Sequence, residues 1–281
     1  MNHDLNHSVN KFLFIAMTIC ALVWCTAELF DIYSNKTYTK EQIDKMFEPI
    51  TSKYGIRIVY EVGDDFLSDL VNPIIPAGPA HDSKVTPIRH RVLARYPKIL
   101  QRALNRYPTK VIKDYLNAIY FAAEIDQHGF LAGGSYDPFR RIIYLVDRGT
   151  KNEDRSICTI HHELSSLFLK RHSFFVNPWT DNNPDDYKYS YDKTDDTLKT
   201  FNNASLVGTK ADYEKGFMNS YGQTNFENDF NEYSAMIFTY PEKFRKIMDQ
   251  YPRVRGKFLV WLDFYHMIDP IFTEDYLLGG R

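Results

Sequence analysis

The clearest indication of the fold of this chain is the segment Thr159-Ile160-His161-His162-Glu163-Leu164-Ser165-Ser166. In the helical pattern His-Glu-x-x-His, two imidazoles one turn apart hold a zinc ion, and the glutamate activates the water bound to it. His162 and Glu163 fit the first two positions, but Ser166 stands in place of the second histidine. A serine hydroxyl is a poor zinc ligand beside imidazole or carboxylate. The sequence therefore predicts a helix built like a zinc site that lacks one of its ligands.

Two further histidines lie close to this pattern. Neighbouring residues of a helix point about 100° apart, so His161 and His162 cannot both face one metal from a regular helix. His161 or a water molecule is nevertheless a candidate to replace the missing imidazole if the helix is locally irregular. His172 follows ten residues after His162, and on a continuous helix it would lie about 15 Å further along, too far to share an ion.

Hydrophobic periodicity predicts strands and helices on both sides of the pattern. The result is an α+β fold with a small mixed sheet, a helix that carries His162 and Glu163, and a mostly helical C-terminal lobe. We predict a single domain over residues 28–281, with an N-terminal lobe at about 38–172 and a C-terminal lobe at about 173–281. The predicted elements are a helix over 38–53, a strand over 55–62, a proline-rich loop over 72–87, a helix over 97–115, strands over 116–123, 129–136 and 141–146, a helix from 154 to about 170, a mainly loop region over 174–225, and helices over 227–250 and 252–266.

Several segments, taken together and in order, carry a resemblance to a known family. They are Arg141-Ile142-Ile143-Tyr144-Leu145-Val146, Thr159-Ile160-His161-His162-Glu163, Val176-Asn177-Pro178, Tyr187-Lys188-Tyr189 and Gly216-Phe217 through Asn231-Glu232-Tyr233. In these segments the chain resembles the exported zinc-binding metallopeptidases of the gluzincin type over roughly residues 50–275. The resemblance implies a zincin-like fold and a peptide or protein substrate.

The same resemblance implies roles for individual residues. His162 would be a zinc ligand, Glu163 the general base and Glu232 the third protein ligand. An acidic first turn is also expected from the helix dipole alone. We assign Glu227 and Asp229 to that effect, whereas for Glu232 both interpretations stay open. Ser166 departs from the family pattern, which puts zinc binding and hydrolysis in doubt.

Composition limits the classes of partner. The chain has 281 residues, of which 44% are hydrophobic, so it can bury a substantial core. Its 34 basic and 36 acidic residues give a formal net charge of -2. Such a balance argues against a general nucleic-acid-binding protein, which needs a basic surface.

The N-terminus predicts export. Residues 12–27 are mostly apolar, and a run of this length suits a secretory signal better than a membrane-spanning helix. We predict that residues 1–27 are a signal peptide or an N-terminal membrane anchor, with Cys25 as a weaker candidate for lipid attachment. The mature protein would be secreted, periplasmic or anchored at the cell surface. Cys158 would then be its only thiol, and we interpret it as a packing residue.

Three hypotheses of function follow. The first is an exported zinc metallopeptidase with an atypical ligand set, in which Glu163 activates a zinc-bound water. The second is a catalytically inactive protein that keeps the fold as a cell-surface binding or structural module. The third is a surface-anchored interaction protein in which the His-His-Glu run is accidental.

Overall fold

The computed structural model describes residues 37–63, 83–127, 130–131, 133–190 and 206–279. The chain divides into two units, residues 1–39 and residues 40–281. All features below belong to the second unit. The predicted export segment, residues 12–27, lies outside the described residues. No helix in the described part of the chain is long and apolar enough to cross a bilayer.

The sheet is built around one long strand, β3. This strand pairs in parallel with β1 on one side and with β6 on the other, while β5 lies antiparallel to β6 at the margin. The outer half of β3 pairs antiparallel with β2 and β4. The strands are β1 (Arg57–Val59), β2 (Ser83–Pro87), β3 (Ala118–Gln127), β4 (Phe130–Leu131), β5 (Gly134–Asp137) and β6 (Ile142–Val146). Because β2 is a strand, the prediction of loop over its residues is wrong.

The described residues also form a set of helices. They are α1 (Lys40–Tyr54), α2 (His90–Leu93), α3 (Tyr96–Leu104), α4 (Thr109–Tyr115), α5 (Glu153–Arg171), α6 (Val176–Thr180), α7 (Lys210–Glu214), α8 (Phe226–Thr239), α9 (Pro241–Gln250), α10 (Pro252–Ile268) and α11 (Glu274–Leu278). Two predicted helices are each divided, because Pro108 precedes α4 and Pro241 opens α9, and proline starts a helix more readily than it continues one. The predicted α+β class, with a small mixed sheet and a zincin-like architecture, is confirmed.

Helix α5 is held between the sheet and α8. The side chain of Asn152 caps its first turn by accepting from the backbone N–H of Arg155. Leu164 and Leu167 are fully buried along it. The thiol of Cys158 lies 3.4 Å from the hydroxyl of Thr239 at the end of α8, whereas the other end of α5 meets the start of α8. The two helices are therefore antiparallel neighbours.

A buried ion pair fixes α8 to α10. Lys257 Nζ lies 2.6 Å from Asp229 Oδ2, and neither side chain is exposed. The same Asp229 oxygen accepts hydrogen bonds from Trp179 Nε1 and the Tyr189 hydroxyl. Burial raises the pKa of Asp229 and lowers that of Lys257, which is the direction expected for charges withdrawn from water. Asp229, assigned from sequence to the helix dipole, is thus a core residue that sets the position of α8.

Candidate active site

His162 on α5 and Glu232 on α8 lie side by side. The distance from His162 Nδ1 to Glu232 Oε1 is 3.0 Å, and both side chains are largely buried. Burial favours the neutral imidazole, but the hydrogen bond to Glu232 and the surrounding carboxylates outweigh it and raise the pKa of His162. Asn219 donates to the other oxygen of Glu232. The structure therefore brings together two of the predicted site residues.

Glu163 lies next to them against the first residue of β5. A Cβ atom placed on Gly134 would come within 2.5 Å of Glu163 Oε1, so only glycine lets the strand approach this carboxylate so closely. Glu163 is 7% exposed, and no described residue donates a hydrogen bond to it. The pKa of Glu163 is raised to about 7, chiefly by burial and also by the Glu227 carboxylate, while His162 partly offsets the rise.

At the position of the second histidine, Ser166 belongs to a cluster of hydrogen-bonded side chains. The hydroxyl of Ser166 donates to Glu227 Oε1 at 2.9 Å and accepts from Asn231 Nδ2 at 2.7 Å. The Tyr136 hydroxyl donates to the same Glu227 oxygen, and Lys170 forms an ion pair with the other Glu227 oxygen at 2.8 Å. We call Ser166, Asn231, Glu227 and Tyr136 the serine cluster. It joins β5, α5 and α8.

His161 points to a different part of the molecule. Its side chain is fully buried, its Nδ1 lies 2.9 Å from the Tyr107 hydroxyl, and its ring stacks on Phe238. Burial lowers the pKa of His161 to about 3, so the ring is neutral in the folded protein. The structure does not bring His161 together with His162 and Glu232. His172 lies just past the end of α5 and contacts the Tyr115 hydroxyl.

The residues present do not fit the zinc ion that a His-Glu-x-x-His site holds. Such an ion needs three protein ligands, and the described site offers His162 and Glu232. Ser166 occupies the position of the second histidine, and its hydroxyl is already bonded on two sides. Among the described residues, no group of three or more His, Cys, Asp or Glu side chains is arranged to hold a metal.

Several site residues were not found from sequence. Tyr136 shares a face of β5 with Gly134, two residues earlier, so the period of a strand was a signal that could have indicated it. Glu227 was assigned to the helix dipole. Asn219 precedes a short 3₁₀ turn, Tyr221–Gln223, and no motif marks it.

The zincin-like class of fold has a short sheet with an antiparallel strand at its margin. A helix that carries His-Glu packs against this sheet, and a following helix contributes a glutamate. The chain shows this arrangement. A model of the family described as "Putative zinc-binding metallo-peptidase" matches residues 36–257. The chain belongs to this family. No curated protein and no solved structure matches the chain.

Proposed function

We propose that this chain is a non-catalytic member of its metallopeptidase family that binds an extended peptide segment without cleaving it. The hydrogen bond from Ser166 to Glu227 carries the proposal, because it commits the residue at the second ligand position to a carboxylate. A family member without zinc has no polarised water with which to attack a peptide bond.

Peptide binding is supported by the position of β5. Among the described strands β5 pairs with β6 alone, so no described strand covers its other edge. Extended peptides commonly add to such an edge through main-chain hydrogen bonds. Gly134 places this edge directly against Glu163. A segment bound along β5 would therefore run past the group that the rest of the family uses for chemistry.

The competing proposal is a zinc peptidase with an atypical ligand set. The 3.0 Å approach of His162 to Glu232 and the buried carboxylate of Glu163 favour it, since two expected ligands and the expected base are in place. It requires a further ligand, and His161 faces the aromatic core.

One experiment separates the two proposals. The protein is incubated with a pool of random hexapeptides in the presence of zinc, and binding and cleavage are both followed by mass spectrometry. We expect enrichment of bound peptides and no cleavage, with Glu163→Gln giving the same absence of products. Cleavage by the wild-type protein that Glu163→Gln abolishes would refute the non-catalytic proposal.

Export remains part of the proposal. The apolar run over residues 12–27 supports it, and the family resemblance agrees. N-terminal sequencing of the protein from culture medium or envelope fractions tests it. A mature N-terminus near residue 28 is expected, whereas an intact Met1 in a cytoplasmic fraction would contradict export.

A further inference from the structure

A lysine that neither the family pattern nor the proposed function uses lies beside Glu163. Lys151 precedes α5, and its Nζ donates to the backbone carbonyl of Gly133 at 2.8 Å. The side chain is largely buried, and the described residues give its ammonium no carboxylate within 4.0 Å. An ammonium has three donors, so two of them lack a described acceptor.

The loop that carries Lys151 is rigidly held. The buried carboxylate of Asp147 accepts from the backbone N–H groups of Gly149 and Lys151 and from the Tyr96 hydroxyl. Because Asp147 accepts these hydrogen bonds, its carboxylate acts on the charge of the Lys151 ammonium only through space, without a direct ion pair. Burial, together with a smaller effect of Arg155, lowers the pKa of Lys151 to about 8, and Asp147 and Glu163 partly offset this shift. The lysine is still mainly charged at neutral pH.

A lysine ammonium and a glutamate carboxyl group, both incompletely partnered among the described residues, therefore lie at the start of β5. Lys151 contacts Gly133, and Glu163 lies against Gly134, the next residue. Buried charges without partners are costly, and a ligand that pairs with both would relieve that cost. A carboxylate matches Lys151, whereas an N–H donor matches Glu163.

We infer that Lys151 and Glu163 receive the C-terminal residue of a bound peptide, with the terminal carboxylate on Lys151 and the last amide N–H on Glu163. This inference rests on the proposed binding of a peptide along β5 and adds the class of ligand. A C-terminal residue carries both groups a short distance apart, as the neighbouring contacts on Gly133 and Gly134 require.

The test compares two pools of random hexapeptides, one with free C-terminal carboxylates and one with C-terminal amides. We expect the wild-type protein to bind the free-acid pool at least about tenfold better, because hydrogen bonds between charged groups account for such factors. Lys151→Gln keeps a donor for Gly133 but removes the charge, and it should bind both pools equally. Lys110→Met, at an exposed lysine of α4, should keep the wild-type preference.

The outcomes distinguish the two levels of the proposal. Equal binding of both pools by the wild-type protein, or an unchanged preference in Lys151→Gln, would overturn the role of Lys151 and leave peptide binding standing. No binding of either pool by the wild-type protein would overturn both. A purely structural lysine would weaken both pools alike when replaced, which also counts against the inference.

Discussion

The Ser166 hydroxyl lies 2.9 Å from Glu227 Oε1 and donates a hydrogen bond to it. Glu227 also accepts a hydrogen bond from the Tyr136 hydroxyl and forms an ion pair with Lys170. This one carboxylate of α8 therefore links β5 to α5, at the position where the family pattern has its second histidine. The serine at this position is therefore part of a packed polar cluster. The hydroxyl of Ser166 is bonded on both sides in this cluster, whereas the buried side-chain oxygen of Asn231 has no partner among the described residues.

The first prediction concerns the ion pair beneath the site. Lys257→Met leaves the buried Asp229 carboxylate without its cation, and breaking a buried pair in this way costs about 3–5 kcal/mol. Urea unfolding followed by circular dichroism measures the loss. Lys110→Met removes one partner of an exposed pair and should cost less than about 0.5 kcal/mol. Equal effects of the two replacements would mean that the buried pair does not hold α8.

A second prediction concerns the contact between β5 and α5. Gly134→Ala places a methyl group within 2.5 Å of Glu163 Oε1 and 2.9 Å of Thr159 Cγ2, so these side chains or the strand must shift. We expect a loss of about 1–3 kcal/mol, as is typical of overpacking, together with loss of peptide binding. Gly63→Ala is the control, since an added Cβ there has no neighbour within 4 Å. A Gly134→Ala protein with full stability and binding would contradict the close approach.

The third prediction concerns pH. The folded chain holds the pKa of His161 at about 3, below its ordinary value of 6.5, so between these values the unfolded chain binds a proton that the folded chain does not. Stability must therefore fall as pH drops below about 6.5. From pH 7 to pH 5 the wild-type protein should lose about 2 kcal/mol more than His161→Phe, which keeps an aromatic ring beside Phe238. Parallel pH profiles of the two proteins would show that His161 is not buried in its neutral form.

A fourth prediction concerns the thiol. Burial raises the pKa of Cys158 to about 12, and the side chain is 7% exposed. In a protein that begins at residue 28, where Cys158 is the sole cysteine, Ellman's reagent should react about a thousandfold more slowly than after denaturation. Rapid labelling of the native protein would instead indicate a reactive cysteine in contact with solvent.

Much of the fold could be predicted because it rests on local signals. The continuous apolar run from Ile142 to Val146 predicts β6, and the helical pattern that begins near Asp154 predicts α5; their order defines the class. The pairing of Glu232 with His162 was reached through the resemblance, since no local pattern joins residues seventy apart.

The remainder of the site depends on contacts between distant segments. Lys151, Asn219 and Tyr136 stand in loops or short strands without a motif, and their roles appear only when β5, α5 and α8 are packed together. Glu227 and Asp229 show the limit of a helix-dipole interpretation, because both are acidic residues of one first turn with specific partners. A sequence pattern gives the charge expected at such a position, whereas tertiary packing decides which cation or hydroxyl it meets.

The most direct test of a site without zinc is the metal content of the purified protein. The wild-type protein and Ser166→His, which restores the family pattern, are each exposed to excess zinc and then separated from unbound metal by gel filtration. The zinc content of both proteins is measured by inductively coupled plasma mass spectrometry. We expect far less than one zinc per wild-type chain and a rise toward one in Ser166→His. One zinc per wild-type chain, lost in His162→Ala and in Glu232→Ala, would contradict the proposal.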